Sequence, residues 1–403
     1  MDRLRMHPLA IVLCGGIIMG LSLGARHAQG LFLLPMTMDR GWTREEFALA
    51  IALQNLVWGL IQPFTGMVAD RFGSVRVLFA GCMIYGLGLY LMAHSASSIE
   101  FMLSAGVLTG IALSATAFGV VYGALSRIVT PEKRGWALGL AGAVGSLGQF
   151  AMVPAAQGLI QGLGWMTALI LMAIVITLVA PLALALNDRS DAQEAHHGTL
   201  SLREAVHEAF SHRGFWLLNL GFFACGFQVA FIANHLPAYL MDKGLDGRSA
   251  VISLAVIALA NIAGTFLCGV LGARYRRKHL LAYIYLLRSA AIAAFVLLPL
   301  SEITVYGFAF IMGFVWLGTT PLTNGLVSQV FGVQYIATLF GFVFVGHQVG
   351  GFFGVWLGGL AFDATRSYDT VWIASIVLGL VAAALHWPID DRKLVRSHGL
   401  ARA

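Results

Sequence analysis

The chain has 403 residues, of which 59% are hydrophobic and only 11% charged, and its net charge is +6. A soluble protein carries about 25% charged residues, so most of this chain must lie in lipid. The basic excess sits in short loops between apolar runs, a pattern of membrane topology and not of a nucleic-acid-binding face.

Twelve apolar segments follow in chain order, near 9–36, 46–69, 75–94, 100–126, 135–160, 164–186, 214–239, 249–272, 280–299, 303–330, 336–362 and 369–388. Each can cross a ~30 Å hydrocarbon core as a helix, the form in which lipid-facing backbone bonds internally. The first lacks a small-residue cleavage site and reads as a span, not a removable signal. It carries Arg26 and His27 in a short polar break, with Arg26 roughly 6 Å outward of the segment's midpoint. An arginine at that depth costs about 2.5–3.5 kcal/mol. No acid lies near it in sequence, so an anion entering from water is the natural partner.

After segment two comes Gly66-Met-Val-Ala-Asp70-Arg71-Phe-Gly73-Ser-Val-Arg76. Asp70, Arg71 and Arg76 at a helix end can make charge-assisted bonds to a neighbouring helix terminus. Gly66 and Gly73 allow close helix approach and a tight turn. Segment four carries Tyr122. Segment five opens Lys133-Arg134-Gly-Trp-Ala137-Leu-Gly139-Leu-Ala141-Gly-Ala143-Val-Gly145 and runs on to Pro154. The longest polar stretch, Asn187 to Arg213, follows segment six, and its Ser201–Phe210 portion suits a short amphipathic surface helix. The boundaries read as an N-terminal six-helix bundle (1–186), a linker (187–213), a C-terminal six-helix bundle (214–388) and a tail (389–403). Segment seven holds Gln228 and His235, segment nine Arg288, segment ten Asn324 and segment eleven His347.

The halves repeat at an offset of about 202: Gly24 matches Gly226, Pro35 Pro237, Ser126 Ser328, Gly139 Gly341, Gly148 Gly350 and Phe150 Phe352. Paired Gly/Pro positions in corresponding helices mark a duplicated secondary transporter. Of the 25 Lys and Arg, Arg40, Arg44, Lys243, Arg248 and Arg366 fall in one set of loops. Arg26 and Arg288 lie within spans, and the rest share the side of both termini, which the positive-inside rule makes cytoplasmic.

The loop from Gly66 to Arg76 resembles the cytoplasmic loop motif of the major facilitator superfamily. The segment-five run from Lys133 to Pro154 is similar to the signature of its monocarboxylate transporter and oxalate–formate antiporter relatives. Arg26, aligned through Ala25-Arg26-His27 to Phe32, stands where that family keeps a basic residue. Asn261 and Thr265 occupy the segment-eight positions where it often carries an Asp…Arg pair. The resemblance implies an all-α membrane protein with twelve transmembrane helices in two pseudo-symmetric six-helix bundles. It also implies that segments one, four, seven and ten line a central cavity. At the 202 offset Arg26 corresponds to Gln228 and Tyr122 to Asn324, a polar ring around a small anion. The arginine fork would hold a carboxylate while the amides and the hydroxyl donate.

Each amide or hydroxyl can equally be an interhelical hydrogen bond, and Arg26 can be structural. Arg288, on a segment that the resemblance makes peripheral, is expected to bond helix ends or backbone carbonyls. His27, His235 and His347 are candidates for proton coupling, although a lone membrane histidine is more often a hydrogen-bonding core residue. All 19 acids fall in loops or at helix ends, which weakens organic-cation export and carboxylate proton relays.

The sequence thus reads as a bacterial inner-membrane secondary transporter of a small organic anion, a monocarboxylate, working as a monomer. Alternatives are an exporter of neutral or amphipathic compounds, using 26 phenylalanines as a greasy cavity, and more distantly a transporter-like receptor. No cofactor, metal site, nucleic-acid partner or enzymatic residue set is expected. Cys14, Cys82, Cys225 and Cys268, all in apolar segments without a paired motif, read as packing residues.

Overall fold

A computed structural model describes residues 7–188, 201–332 and 336–394, and leaves the side chains of a few helical residues, Asp70 and Arg71 among them, outside that description. Twelve of its helices are long and apolar enough to cross a membrane. They are α1 (Pro8–Arg40), α2 (Arg44–Ala69), α3 (Ser74–His94), α4 (Ser98–Leu125), α5 (Trp136–Leu163) and α6 (Trp165–Leu186) in one half. The other half holds α7 (Arg213–Asp242), α8 (Gly247–Arg274), α9 (Arg277–Leu297), α10 (Glu302–Phe331), α11 (Thr338–Thr365) and α12 (Asp369–His386). Local sequence starts several of them. Thr43 with Glu46 and Ser97 with Glu100 are capping boxes for α2 and α4, and Asp246 caps α8. The linker helix Leu202–Ser211 begins on a third box, Ser201 with Glu204. With twelve successive spans, the described ends at His7 and Leu394 fall on one face, the terminal face; the other is the distal face.

Two of the repeat's glycine pairs, 24/226 and 148/350, are where helix backbones meet, whereas Gly139 meets nothing within 4 Å and Gly341 only a side-chain atom of Pro63. A Cβ on Gly24 of α1 would lie 2.8 Å from the Gly148 carbonyl oxygen, and one on Gly148 of α5 would lie 2.5 Å from the Gly20 Cα, one turn away. In the second half, Gly226 of α7 abuts the His347 carbonyl and Gly350 of α11 abuts that of Phe223. Matched positions 24/226 and 148/350 therefore do the same work in both halves. They let α1 close on α5 and α7 on α11.

A second shared device closes the terminal face. Asp188, just past α6, accepts from the Ser74 N–H (2.9 Å) and hydroxyl (2.6 Å) and from Arg127 Nη2 (2.6 Å). Asp391, just past α12, accepts from Arg276 Nη2 (2.6 Å), and its carbonyl accepts from Gln329 (2.7 Å). Residues 74 and 276, and 127 and 329, are offset by 202. In each half the segment leaving the last helix clasps the ends of the third and fourth.

Four of the described spans are interrupted. The α-helix of α1 ends at His27 and a tight turn spans Gln29–Phe32; α4 kinks at Ala117; the α-helix of α6 ends at Leu178 and tightens to a 3-10 stretch, Ala180–Leu186; α10 stops at Phe314 and resumes at Thr319. The break in α1 falls on its polar interruption, whereas nothing in the sequence reading anticipated those in α4, α6 and α10.

Candidate functional site: an unneutralised arginine between the halves

Arg26 emerges where α1 loosens, part-buried, and points at α2. Its Nη2 donates to Asn55 Oδ1 at 2.5 Å, and its guanidinium lies 5.1 Å from the centroid of the Trp58 ring. Asn55 spends its own Nδ2 on the Ile51 carbonyl, which turns Oδ1 toward the arginine. Trp58 Nε1 donates to Gln62 Oε1 (2.8 Å), and Gln62 Nε2 donates to the Ser114 carbonyl (3.1 Å), so the ring is fixed from behind. Among the described residues no acid pairs with Arg26 and only one of its N–H groups is hydrogen-bonded. A guanidinium with spare donors, an aromatic face and no counter-charge can accept a carboxylate.

The ring expected around it is not assembled. Gln228 is fully buried and faces into its own half: Nε2 donates to the Ser375 carbonyl (2.9 Å) and Oε1 accepts from Arg288 Nη1 (3.5 Å). The offset of 202 pairs Gln228 with Arg26 in sequence, but packing against α9 and α12 takes its side chain the other way. Tyr122 is part-buried on α4, packed on Phe118 and facing Gly142 of α5, where a Cβ would lie 2.7 Å from its hydroxyl. Asn324 is part-buried toward the terminal end of α10.

Arg288 is wholly enclosed and fills the break in α10. Nε and Nη2 donate to the Val315 carbonyl (3.2 and 2.5 Å), and Nη2 also donates to that of Trp316. These are orphan carbonyls at the end of the first piece of α10, where a cation also meets the negative end of the helix dipole. Asn261 completes the repair by accepting from Leu317 N–H (3.1 Å), while Thr265 donates to it (2.9 Å).

The histidines sit apart. His27 Nε2–H donates to the Leu254 carbonyl of α8 (3.1 Å), tying the two halves together. His235 Nε2–H donates to the Val355 carbonyl (2.8 Å) inside the C-terminal half. His347 stacks on Phe344, its Nδ1 meets Gln348 Oε1 at 3.0 Å, and its side chain also interacts with Cys225. No two of the three are bonded to one another among the described residues.

In the loop motif, Gly73 has φ 88°, the left-handed region in which glycine is unstrained. A Cβ on Gly66 would meet nothing within 4 Å, so the expected close approach there is absent. Arg76 is exposed. The latch roles expected of Asp70 and Arg71 lie outside the described side chains.

Sequence reading missed the ties that close the distal face. Arg44 forks onto Asp242 (2.5 and 2.7 Å) and packs on the Phe362 ring. The backbone N–H groups of Arg44 and Glu45, the exposed start of α2, donate to Asp363 of α11 (3.3 and 2.6 Å). Gly30 of α1 fits against the Ala233–Asn234 backbone of α7. Acids and bases at opposite loop ends carry no sequence mark of pairing, but the mid-span polar residues Asn55 and Gln348 were visible as exceptions in apolar runs.

Two six-helix bundles joined at a central seam are the architecture of a membrane transporter. Residues 12–355 match the Major Facilitator Superfamily, and the chain belongs to it. It is a multi-pass membrane protein of that transporter family. Among its relatives is the uncharacterized MFS-type transporter YcxA of Bacillus subtilis (strain 168), 26% identical over 393 residues and 93% of each chain. The oxalate:formate antiporter of Oxalobacter formigenes is 22% identical, covering 92% of this chain and 88% of its own. Monocarboxylate transporter 11 of Homo sapiens is 25% identical, covering 89% and 78%. The crystal structure of a bacterial homolog to the human lysosomal transporter Spinster, inward-facing and occupied, superposes with a TM-score of 0.73 at 17% identity. That superposition covers 94% of this chain and 95% of that one, and shows the shared fold.

Proposed function

We propose that this chain carries a small organic anion, a monocarboxylate, across a bacterial inner membrane, with both termini cytoplasmic. Arg26 carries the reading: a mid-span guanidinium whose one hydrogen bond goes to a neutral amide and whose cost an entering anion would offset. The names of the oxalate:formate and monocarboxylate relatives support the same class. Arg288 offers no rival site, because its donors are committed to backbone carbonyls and Gln228. With the distal ties closed, the anion would enter or leave through the terminal face, and rocking of the halves would break Arg44–Asp242 and Asp363–α2. Counting lysines and arginines supports a cytoplasmic terminal face.

The test is flux in proteoliposomes across lactate, pyruvate, oxalate and formate. Saturable uptake of at least one is expected, with Arg26→Gln reducing it at least tenfold. If none of them moves, or if Arg26→Gln transports as well as the native chain, the anion reading is lost. Changed susceptibility to neutral toxic compounds on deletion would then favour the exporter alternative.

A further inference from the structure

The seam between α2 and α11 places a second polar group opposite Arg26. At one depth Asn55, Trp58 and Gly59 of α2 face Phe344, Gln348 and Gly351 of α11. The Trp58 and Phe344 rings meet at 5.3 Å, and a Cβ on Gly351 would lie 3.4 Å from Asn55 Cγ. Gly59 leaves room for Gln348 to lie across α2: a Cβ there would be 2.6 Å from Gln348 Cβ and 2.9 Å from its Cγ. Arg26 reaches this same turn of α2 from α1, within the N-terminal half, through Asn55 and Trp58. Guanidinium and carboxamide thus converge on one helix turn from opposite bundles.

The carboxamide is oriented. His347, held against Phe344 and Phe222, directs Nδ1–H at Gln348 Oε1, which accepts the hydrogen bond. The Nε2 donors are left over, in a side chain that is 1% exposed, and have no partner. A buried donor without an acceptor is costly, about 1–3 kcal/mol. An amide fixed by its neighbour, with its donors free at the turn of α2 that an unneutralised guanidinium also reaches, is arranged to meet an acceptor that arrives from outside. A carboxylate has acceptor oxygens for both groups.

We propose that Gln348, positioned by His347, is the C-terminal half's direct contact to the anion held by Arg26. This rests on the anion reading above and adds to it a residue from the opposite bundle. Because the contact spans the seam, the anion bridges the two halves when bound. Gln228, the repeat counterpart of Arg26, is replaced in this role by a residue from α11.

The experiment uses the full chain in proteoliposomes and whichever of lactate, pyruvate, oxalate or formate the native chain carries. Gln348→Met keeps length but removes the donors, and should raise the half-saturation concentration about tenfold with maximal flux within about twofold. Gln348→Glu still accepts from His347 but opposes the anion with a carboxylate, and should abolish flux while its thermal unfolding in detergent stays native-like. His347→Ala, which frees the amide, should give an intermediate half-saturation. If Gln348→Met and Gln348→Glu both keep the native half-saturation while Arg26→Gln loses flux, the role of Gln348 is overturned and the anion reading stands. Should Gln348→Met not fold, the Gln348→Glu result alone decides. Absence of native flux overturns both.

Discussion

Arg26 and Arg288 are the two arginines placed deep in spans, one in each half, and they are used in opposite ways. Arg288 is enclosed and committed: two backbone carbonyls and Gln228 take its donors, and it closes a gap in α10. Arg26 is part-buried, bonds one amide and keeps the rest of its fork unspent. The cost of a charge in the membrane is met by the protein in one half and left standing in the other. The satisfied charge holds structure, and the unsatisfied one is the site we propose for the anion.

The sharpest way to break this contrast is to remove Arg288. Arg288→Met should lower stability on the order of 3 kcal/mol, since it strands buried carbonyls, with Arg288→Lys recovering only part because it cannot fork. Thermal unfolding in detergent measures this; a native-like melt that accompanies lost transport would reverse the roles. Arg26→Gln should do the converse, reducing flux at least tenfold while unfolding temperature holds or rises, because an uncompensated charge is gone. A large drop in stability would make Arg26 structural.

Smaller effects belong to the faces. Asp363→Asn weakens the charge-assisted cap on α2 and should loosen distal closure by about 1 kcal/mol. Faster hydrogen exchange in the Phe231–Leu240 stretch of α7 is the readout; unchanged exchange would remove Asp363 from the gate. The terminal clasps should be weakest and depend on pH. Burial alone would raise the Asp188 carboxyl, but Ser74 and Arg127 more than offset it and hold it below the usual carboxylate range. Asp391 is likewise lowered, chiefly by its hydrogen bond to Arg276. A depressed folded-state value means the stabilisation is complete above about pH 4 and is lost as pH falls through the folded value. Asp188→Asn should therefore cost about 1 kcal/mol at pH 7 and progressively less as pH falls below about 4, measured by melts across pH.

Much of the site's weakness as a sequence reading comes from the repeat itself. The 202 offset correctly aligned glycines whose work is backbone approach, because helix packing at 24/226 and 148/350 depends on position along the helix. The same arithmetic made Gln228 the partner of Arg26. Side-chain direction is set by neighbours, and here Ser375 and Arg288 claimed that amide. Clasp residues 74/276 and 127/329 obey the offset too, although Ser replaces Arg and Arg replaces Gln, so identity matching could not show them.

Apolar length, loop charge and repeat by themselves determined that this chain is a twelve-span duplicated transporter, because lipid forces each backbone segment to bond internally and so writes the fold in hydropathy. They also determined that Arg26 stands without an acid in its own stretch of chain. Only the tertiary structure decided which arginine is spent. It broke α10 and set Arg288 in the gap, and it brought α11, nearly 300 residues further along the chain, alongside the turn of α2 that Arg26 reaches. Hydrogen-bond partners across a bundle interface depend on helix rotation and register, which packing fixes and composition does not.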